Sequence, residues 1–177
     1  MYYVDESLLL LPITQSEVTM SHPIMPLVIA IFICPKAGGR MKRVQQVEAI
    51  AGQGLRGDRY RFGKGSWNSG KKGTRQLTLM NAEFFLGTPF TFADARRNIF
   101  TDGVELSRLW GEDFEIGEVE VRGIKYCYPC NRPSDISGKP NFAKIFRERG
   151  GLIVEIRKGG VICTGSQIIL PKKLQTT

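Results

Sequence analysis

Histidine is almost absent from this sequence, which contains His22 as its single copy in 177 residues. A zinc site with several histidine ligands and a cysteine–histidine catalytic pair are therefore not expected. Cysteine is also scarce, with four copies. A chain of this length can bury a core without a disulfide framework. Cys34 and Cys163 lie in apolar stretches typical of inert core thiols.

Long apolar runs are missing as well. No stretch approaches the roughly 20 residues that a membrane-spanning helix needs. The short apolar run at 8–11 follows Asp5 and Glu6, where a secretory signal peptide would carry positive charge. These absences predict a cytoplasmic protein with no membrane partner.

Acidic residues are too few to balance the basic ones, with 17 against 25 and a net charge of +8. Such an excess favours an anionic partner: phosphate, a phosphorylated cofactor or nucleic acid. Nucleic acid is the weaker option, because no RRM, KH, zinc-finger or helix-turn-helix signature is visible. A basic, solvated surface would show the same excess, so charge alone leaves both interpretations open.

The length predicts one domain. We expect an N-terminal extension at 1–26, a folded domain at 27–172 and a tail at 173–177. Short apolar or alternating segments separated by turns predict a mainly β fold, a barrel with a few short helices. The predicted strands are 28–33, 44–50, 76–80, 114–121, 152–156 and 167–170, with helical patterns beginning at 81 and covering 142–149.

Two glycine-rich segments predict loops. Residues 51–60 superficially resemble a phosphate-binding loop, but they lack the spacing of a P-loop and no clear helix follows. Residues 63–73 are polar, basic and glycine-rich, which predicts a mobile loop.

Cys130 is the thiol that the sequence singles out. The strand pattern at 119–124 leads towards it, and Pro129 cannot continue a central strand. The chain must therefore turn there, which lifts Cys130 out of the sheet, with Arg132 two residues on. Positive charge near a thiol favours the thiolate, which is both a nucleophile and a soft-metal ligand. Cys127 leaves a Cys-x-x-Cys disulfide open, although no βαβ unit accompanies it.

Five motifs in order resemble the MOSC family, named after the C-terminal domain of molybdenum-cofactor sulfurases. They are 28–36, the Gly-Leu-x-Gly-Asp-Arg loop at 54–59, Arg96-Arg97-Asn98-Ile99, 114–117 and Tyr128-Pro129-Cys130. The resemblance implies that 27–172 form a MOSC domain, a closed, mostly antiparallel β-barrel with Cys130 as its functional cysteine. The sequence departs from the family at Gly165-Ser166, where members often carry Gly-Asp.

The resemblance implies two activities that use the same cysteine. In the first, Cys130 accepts sulfur from a partner, a pyridoxal-phosphate-dependent cysteine desulfurase, for metal–sulfur cluster or molybdenum-cofactor assembly; pyridoxal phosphate then belongs to the partner. In the second, the protein binds the molybdenum cofactor (molybdopterin), with Cys130 as the molybdenum ligand, and reduces N-hydroxylated compounds with an electron-transfer partner. Charge alone motivates a third alternative, a non-enzymatic anion-binding module.

Several cationic and amide side chains are candidate cofactor-binding residues. They are Lys36, Arg59, Arg96, Arg97 and Asn98. Arginine binds phosphate through two parallel hydrogen bonds, and asparagine suits a pterin amide. Each also has a plain structural interpretation: Arg59 can form a turn salt bridge with Asp58, and the two consecutive arginines can line a solvated strand edge.

Overall fold

The computed structural model describes residues 25–64 and 75–175. His22, most of the predicted extension at 1–26 and most of the predicted loop at 63–73 lie outside the described residues, as do the last two residues of the predicted tail. Within the described ranges the protein is mainly β, with eleven strands and three short α-helices.

The elements follow one another in many short pieces. The strands are β1 (Leu27–Ile33), β2 (Lys42–Val44), β3 (Gln46–Ile50), β4 (Gly54–Leu55), β5 (Leu77–Asn81), β6 (Ile99–Asp102), β7 (Asp113–Ile116), β8 (Val119–Tyr126), β9 (Leu152–Lys158), β10 (Gly160–Cys163) and β11 (Ile168–Ile169). The helices are α1 (Phe92–Ala95), α2 (Arg132–Ser137) and α3 (Phe142–Ile145). Four 3₁₀ helices cover Arg59–Phe62, Ala82–Phe85, Leu106–Leu109 and Lys172–Leu174.

Eight strands form one sheet, in the order β11-β7-β8-β9-β5-β6-β1-β2, and β10-β3-β4 form a second sheet. The pair β5–β6 is parallel, because the connection 82–98 crosses over the sheet, and the other pairs are antiparallel. The large sheet is therefore open and mixed, and the predicted closed barrel is wrong.

The sheet stays open because its edge strands are short. β2 has three residues and β11 has two, and among the described residues no ladder joins them. An isolated bridge between Leu27 and Gln167 links the start of β1 to the residue preceding β11. Backbone hydrogen bonds from the Val28 N–H to the Ser166 carbonyl and from the Gly165 N–H to the Val28 carbonyl accompany this bridge, but they do not extend into a strand pair.

Most predicted strands are confirmed, with boundaries shifted by a residue or two. The segment 44–50 is divided between β2 and β3, and 114–121 forms a hairpin that turns at Gly117, whose φ is +60°. Glycine adopts this left-handed conformation without steric cost. The predicted helix at 142–149 is shorter than its pattern, since α3 ends at Ile145.

The two faces of the large sheet pack on separate apolar cores. Ile31 and Ile99 lie in an aliphatic core, whereas their neighbours Phe32 and Phe100 lie in an aromatic core shared with Phe142 of α3. Alternate residues of a strand face opposite sides of a sheet, which explains why β1 and β6 are apolar along most of their length. No helix of the described ranges is long and apolar enough to cross a membrane.

Asp94 joins α1 to the segment between α2 and α3. Its carboxylate accepts hydrogen bonds from the Thr91 backbone N–H at 2.8 Å and from Lys139 Nζ at 2.6 Å. Burial alone would raise the pKa of Asp94, but the hydrogen bonds from Lys139 and Thr91 outweigh it and hold that pKa below its usual value. The stabilisation is therefore present above the ordinary aspartate pKa of about 3.9 and is lost as the pH falls through the lower folded value.

Replacing Asp94 by Asn should lower the free energy of unfolding by about 1 kcal/mol at pH 7, because the variant loses the charge that strengthens the bonds from the Thr91 N–H and Lys139. The difference between parent and variant should shrink below about pH 4, where the parent loses its carboxylate charge. Chemical denaturation at pH 7 and at pH 3 measures both values. Asp113→Asn, which breaks an exposed ion pair with Arg122, should change stability by less than about 1 kcal/mol. An equal loss for Asp94→Asn at both pH values would contradict the assignment.

Candidate functional site

Cys130 lies in the loop between β8 and α2. β8 ends at Tyr126, before Pro129, so the predicted turn out of the sheet is confirmed. The thiol is half-buried. Arg132 begins α2 only two residues later.

The loop that carries Cys130 is held against Gly150 and Gly151. The Cys127 N–H donates to the Gly151 carbonyl at 2.8 Å. Tyr126 Oη accepts from the Gly150 N–H at 2.6 Å and donates to the Arg147 carbonyl at 3.0 Å, and burial raises the pKa of this tyrosine. A Cβ atom at Gly150 would collide with the Cys127 carbonyl oxygen. The close approach therefore requires glycine at this position.

Arg97 fixes the same loop from the other side. It is buried, and it donates from Nε to the Gly150 carbonyl at 3.0 Å and from Nη2 to the Cys127 carbonyl at 3.2 Å. A third bond runs from Nη1 to the Ala95 carbonyl at 3.3 Å. Arg97 thus positions the cysteine loop, and its predicted contact with a cofactor stays a prediction.

Cys130 lines a narrow cavity of about 30 Å³. Five guanidinium side chains share the lining with it: Arg59, Arg75, Arg96, Arg97 and Arg132. No aspartate or glutamate of the described residues belongs to this lining. We call this cavity the arginine pocket. Its donors and its charge suit a small anion.

Arg59 combines both interpretations that the sequence allowed. Its Nη1 lies 3.3 Å from Asp58 Oδ2, both side chains are buried, and the guanidinium also lines the arginine pocket. The guanidinium carbon lies 4.3 Å from the centroid of the Tyr60 ring. The aspartate and the aromatic ring therefore hold Arg59 in place beside the thiol.

Asp58 is a buried acceptor for its own 3₁₀ helix and for two other segments. It receives hydrogen bonds from the Cys34 N–H at 2.9 Å, the Tyr60 N–H at 3.0 Å and Asn98 Nδ2 at 3.3 Å. Several hydrogen bonds satisfy a buried carboxylate that would otherwise be costly. Asp58 thus ties the end of β1 and the residue before β6 to the 3₁₀ helix that carries Arg59.

Asn98 is already occupied by the protein. Its Nδ2 also donates to the Phe32 carbonyl at 3.2 Å, and its Oδ1 accepts from Thr78 Oγ1 at 2.9 Å. The side chain is 1% exposed and is not part of the arginine pocket. The geometry gives Asn98 a structural role, and the structure does not bring it to Cys130 as a ligand-binding group.

Arg96 and Lys36 differ in their relation to the thiol. Arg96 lines the pocket, donates from Nη1 to the Gly39 carbonyl at 2.9 Å, and approaches Cys34 Sγ to 3.5 Å through Nη2. Its φ of +60° ends α1 in a conformation that non-glycine residues rarely adopt. Lys36 is exposed and does not line the pocket.

Sequence reasoning did not include Arg75 or Arg132 among the binding residues. The position of Arg132 two residues after Cys130 already indicated a positive charge near the thiol. In the structure Arg132 begins α2 and lines the pocket. Arg75 precedes β5 and carried no sequence signal, because it reaches the site through the order of strands in the sheet.

The other three cysteines are not paired with Cys130. All four cysteines are free, and Cys127 is fully buried, so the Cys-x-x-Cys disulfide is not formed. Among the described residues, no group of three or more histidine, cysteine, aspartate or glutamate side chains is arranged to hold a metal ion. A metal at this site would depend on Cys130 alone for a thiolate.

Residues 74–169 match the sequence model of the MOSC domain. The matched region runs through β5 to β11 and includes Cys130 and four of the five pocket arginines: Arg75, Arg96, Arg97 and Arg132. The chain belongs to the MOSC domain family. A comparison with curated proteins gave no match.

Solved structures show the same MOSC fold. The YuaD protein from Bacillus subtilis superposes with a TM-score of 0.67 at 19% identity, over 81% of this chain and 94% of that protein. YiiM from Geobacillus stearothermophilus gives 0.63 at 17% identity, over 83% and 75% of the two chains. YiiM from Escherichia coli gives 0.59 at 18% identity, over 82% and 70%. At these identities the likeness concerns the fold.

Replacing Asp58 by Asn should lower the free energy of unfolding by about 3 kcal/mol, because it leaves the buried Arg59 guanidinium without its counter-charge. Urea denaturation at neutral pH measures the loss. Glu48→Gln is the matched control, since Glu48 pairs with Arg56 at the exposed surface and should cost less than about 1 kcal/mol. Similar losses for the two variants would show that Asp58 does not hold this MOSC site together.

Proposed function

We propose that Cys130 carries sulfur as a persulfide, accepted from a pyridoxal-phosphate-dependent cysteine desulfurase, for the assembly of metal–sulfur clusters or of the molybdenum cofactor. The observation that supports this function is the arginine pocket beside a half-buried thiol. Its volume of about 30 Å³ exceeds the roughly 10–15 Å³ that a cavity needs to hold one water molecule. One additional sulfur atom is an occupant of this order of size.

Charge supports the same occupant. A persulfide is an anion, and the five guanidinium groups of the pocket offer positive charge and N–H donors to it. Cys163 provides the contrast. It is also half-buried, but its Sγ lies 4.0 Å from Gln46 Oε1 and it is not part of the arginine pocket. Of the two half-buried thiols, Cys130 is therefore suited to hold an anionic sulfur.

The transfer balances without an external oxidant. The Cys130 thiolate attacks the terminal sulfur of a cysteine persulfide on the partner, and a new S–S bond forms between Cys130 Sγ and that sulfur. The S–S bond on the partner breaks, and the partner cysteine leaves as a thiolate that takes up a proton. Pyridoxal phosphate remains on the partner, where it generates the persulfide. In this proposal the chain contributes the accepting thiol and the cationic pocket.

The molybdenum cofactor is the second candidate ligand, and the arginines are the observation that favours it. A thiolate ligand and clustered guanidinium groups suit molybdenum and a pterin phosphate in chemical type. The cavity of about 30 Å³ beside Cys130 accommodates one small group, so the pterin itself would lie outside it. We therefore derive no reaction step through this cofactor, and reduction of N-hydroxylated compounds with an electron-transfer partner stays a prediction.

Incubation with a cysteine desulfurase and L-cysteine should add the mass of one sulfur atom to the protein. The adduct should map to Cys130 by peptide mass spectrometry, and it should disappear on reduction. Cys130→Ala should remain unmodified, whereas Cys163→Ser should be modified like the parent, because its thiol lies outside the arginine pocket.

Absence of an adduct on Cys130, or equal labelling of Cys163, would refute sulfur carriage at this site.

Molybdenum and pterin analysis of protein from a molybdenum-replete host tests the second candidate, which is binding of the molybdenum cofactor. Near-stoichiometric molybdenum in the parent that is lost in Cys130→Ala would replace the first proposal by the second.

A further inference from the structure

A second and much larger cavity lies beside the same loop, and it shares no lining residue with the arginine pocket. Its volume is about 730 Å³, within the range of about 300–1,000 Å³ that is common for small-molecule sites. Tyr126 and Tyr128 line this cavity, whereas Cys130, two residues further on, lines the arginine pocket. The Cys130 loop therefore contributes to two different sites.

Aromatic rings dominate the accessible side chains of the large cavity. Trp110 is 64% exposed and Tyr128 is 78% exposed, although both are large side chains with apolar surface. Tyr126 packs edge-to-face on Tyr128, with ring centroids 4.8 Å apart, and Phe84 also contributes to the lining. Exposed aromatic rings that converge on one cavity favour a planar or cationic ligand, because a ring face attracts both.

The charge of this cavity is opposite to that of the protein as a whole. Glu83, Glu105 and Glu148 belong to its lining, and among the described residues no lysine or arginine does. The chain nevertheless carries a net charge of +8. Arg149 lies near, with its guanidinium carbon 5.6 Å from the Phe84 ring centroid, but it is not a lining residue. The carboxylates therefore attract cations to this cavity and repel the anions that the arginine pocket suits.

Asn81 adds a buried polar group. Its side chain is 2% exposed and lines the cavity, and its Nδ2 donates to the Val104 carbonyl at 2.6 Å. This bond to the segment before the 3₁₀ helix at Leu106–Leu109 gives Asn81 a structural role at the wall of the cavity.

We propose that this cavity is a binding site for an aromatic cation, with its ring against Trp110 and Tyr128 and its charge near the three glutamates. This site is separate from sulfur carriage at Cys130. Its chemistry excludes the phosphorylated and sulfur-bearing anions expected in the arginine pocket, so the two sites select ligands of opposite charge.

Three bicyclic aromatic probes of different charge test the choice of ligand by isothermal titration. They are the cation N-methylquinolinium, the neutral 1-methylnaphthalene and the anion 1-naphthoate. N-methylquinolinium should bind about tenfold more tightly than 1-methylnaphthalene, the difference expected from cation–π and carboxylate attraction together. 1-Naphthoate should bind more weakly than either. Equal binding of the cation and the neutral probe, preference for the anion, or no detectable binding of the cation would overturn the proposal.

Variants locate the binding. Trp110→Ala should weaken binding of N-methylquinolinium about fivefold through loss of one aromatic face, and removal of three carboxylates should weaken it about threefold. The triple variant is Glu83→Gln, Glu105→Gln and Glu148→Gln. Its matched control removes the same charge from the exposed residues of β7 and β8: Asp113→Asn, Glu115→Gln and Glu120→Gln.

The matched control should bind like the parent, and thermal unfolding should show that every variant is folded. Unchanged affinity in Trp110→Ala and in the first triple variant would place the cation elsewhere and refute the site. Cys130→Ala should retain the parent affinity for N-methylquinolinium while losing the sulfur adduct. Failure of one proposal is thereby distinguishable from failure of the other.

Discussion

The buried carboxylate of Asp58 is the constraint on which the thiol site depends. It is 1% exposed. Its oxygen atoms accept hydrogen bonds from the end of β1, from the 3₁₀ helix at Arg59–Phe62 and from the residue before β6. An isolated buried carboxylate would be very unfavourable, whereas this one is surrounded by donors and by the Arg59 guanidinium. Because that pair fixes Arg59, its guanidinium is held at the pocket independently of any ligand.

A second set of hydrogen bonds holds the loop that carries the thiol. Arg97 donates to the carbonyls of Cys127 and Gly150, which belong to different parts of the chain. The two networks meet in the segment 96–98, where each of three consecutive polar residues has a different task. Arg96 lines the pocket, Arg97 holds the cysteine loop, and Asn98 binds Asp58. The site is consequently part of the packing between strands and not an addition to a finished fold.

Local patterns in the sequence predicted the local features. The apolar run of β1, the alternation in β7 and β8, and the break at Pro129 before Cys130 all follow from side-chain period and proline chemistry. Closure of the sheet could not be predicted in this way, because it depends on whether distant edge strands pair. The resemblance to the family implied a closed barrel, and the short β2 and β11 do not complete one.

Residue type and spacing did not distinguish ligand-binding residues from structural residues at the site. Arg97 and Asn98 have the donors that a phosphate or pterin would need, but the same donors satisfy backbone carbonyls and Asp58. Residue type and spacing do not reveal which acceptor will be nearest. Arg75 illustrates the converse case, since it joins the pocket only because β5 lies beside β6 and β9. The order of the strands decides which acceptors lie near Arg97 and Asn98, and it also decides that Arg75 lines the pocket. A single sequence encodes this order only weakly.

The contact of the cysteine loop with Gly150 and Gly151 has a consequence for biosynthesis. A chain emerges from the ribosome with its N-terminus first. Cys130 is therefore synthesised before Gly151, whose carbonyl accepts from the Cys127 N–H, and before Gly150, whose N–H donates to the Tyr126 hydroxyl. Contacts between segments far apart in sequence form late, since loop closure must precede them. The bonds that fix the cysteine loop can therefore form only after residues 150 and 151 have been synthesised, and a chain truncated before them would carry Cys130 on a loop that lacks these contacts.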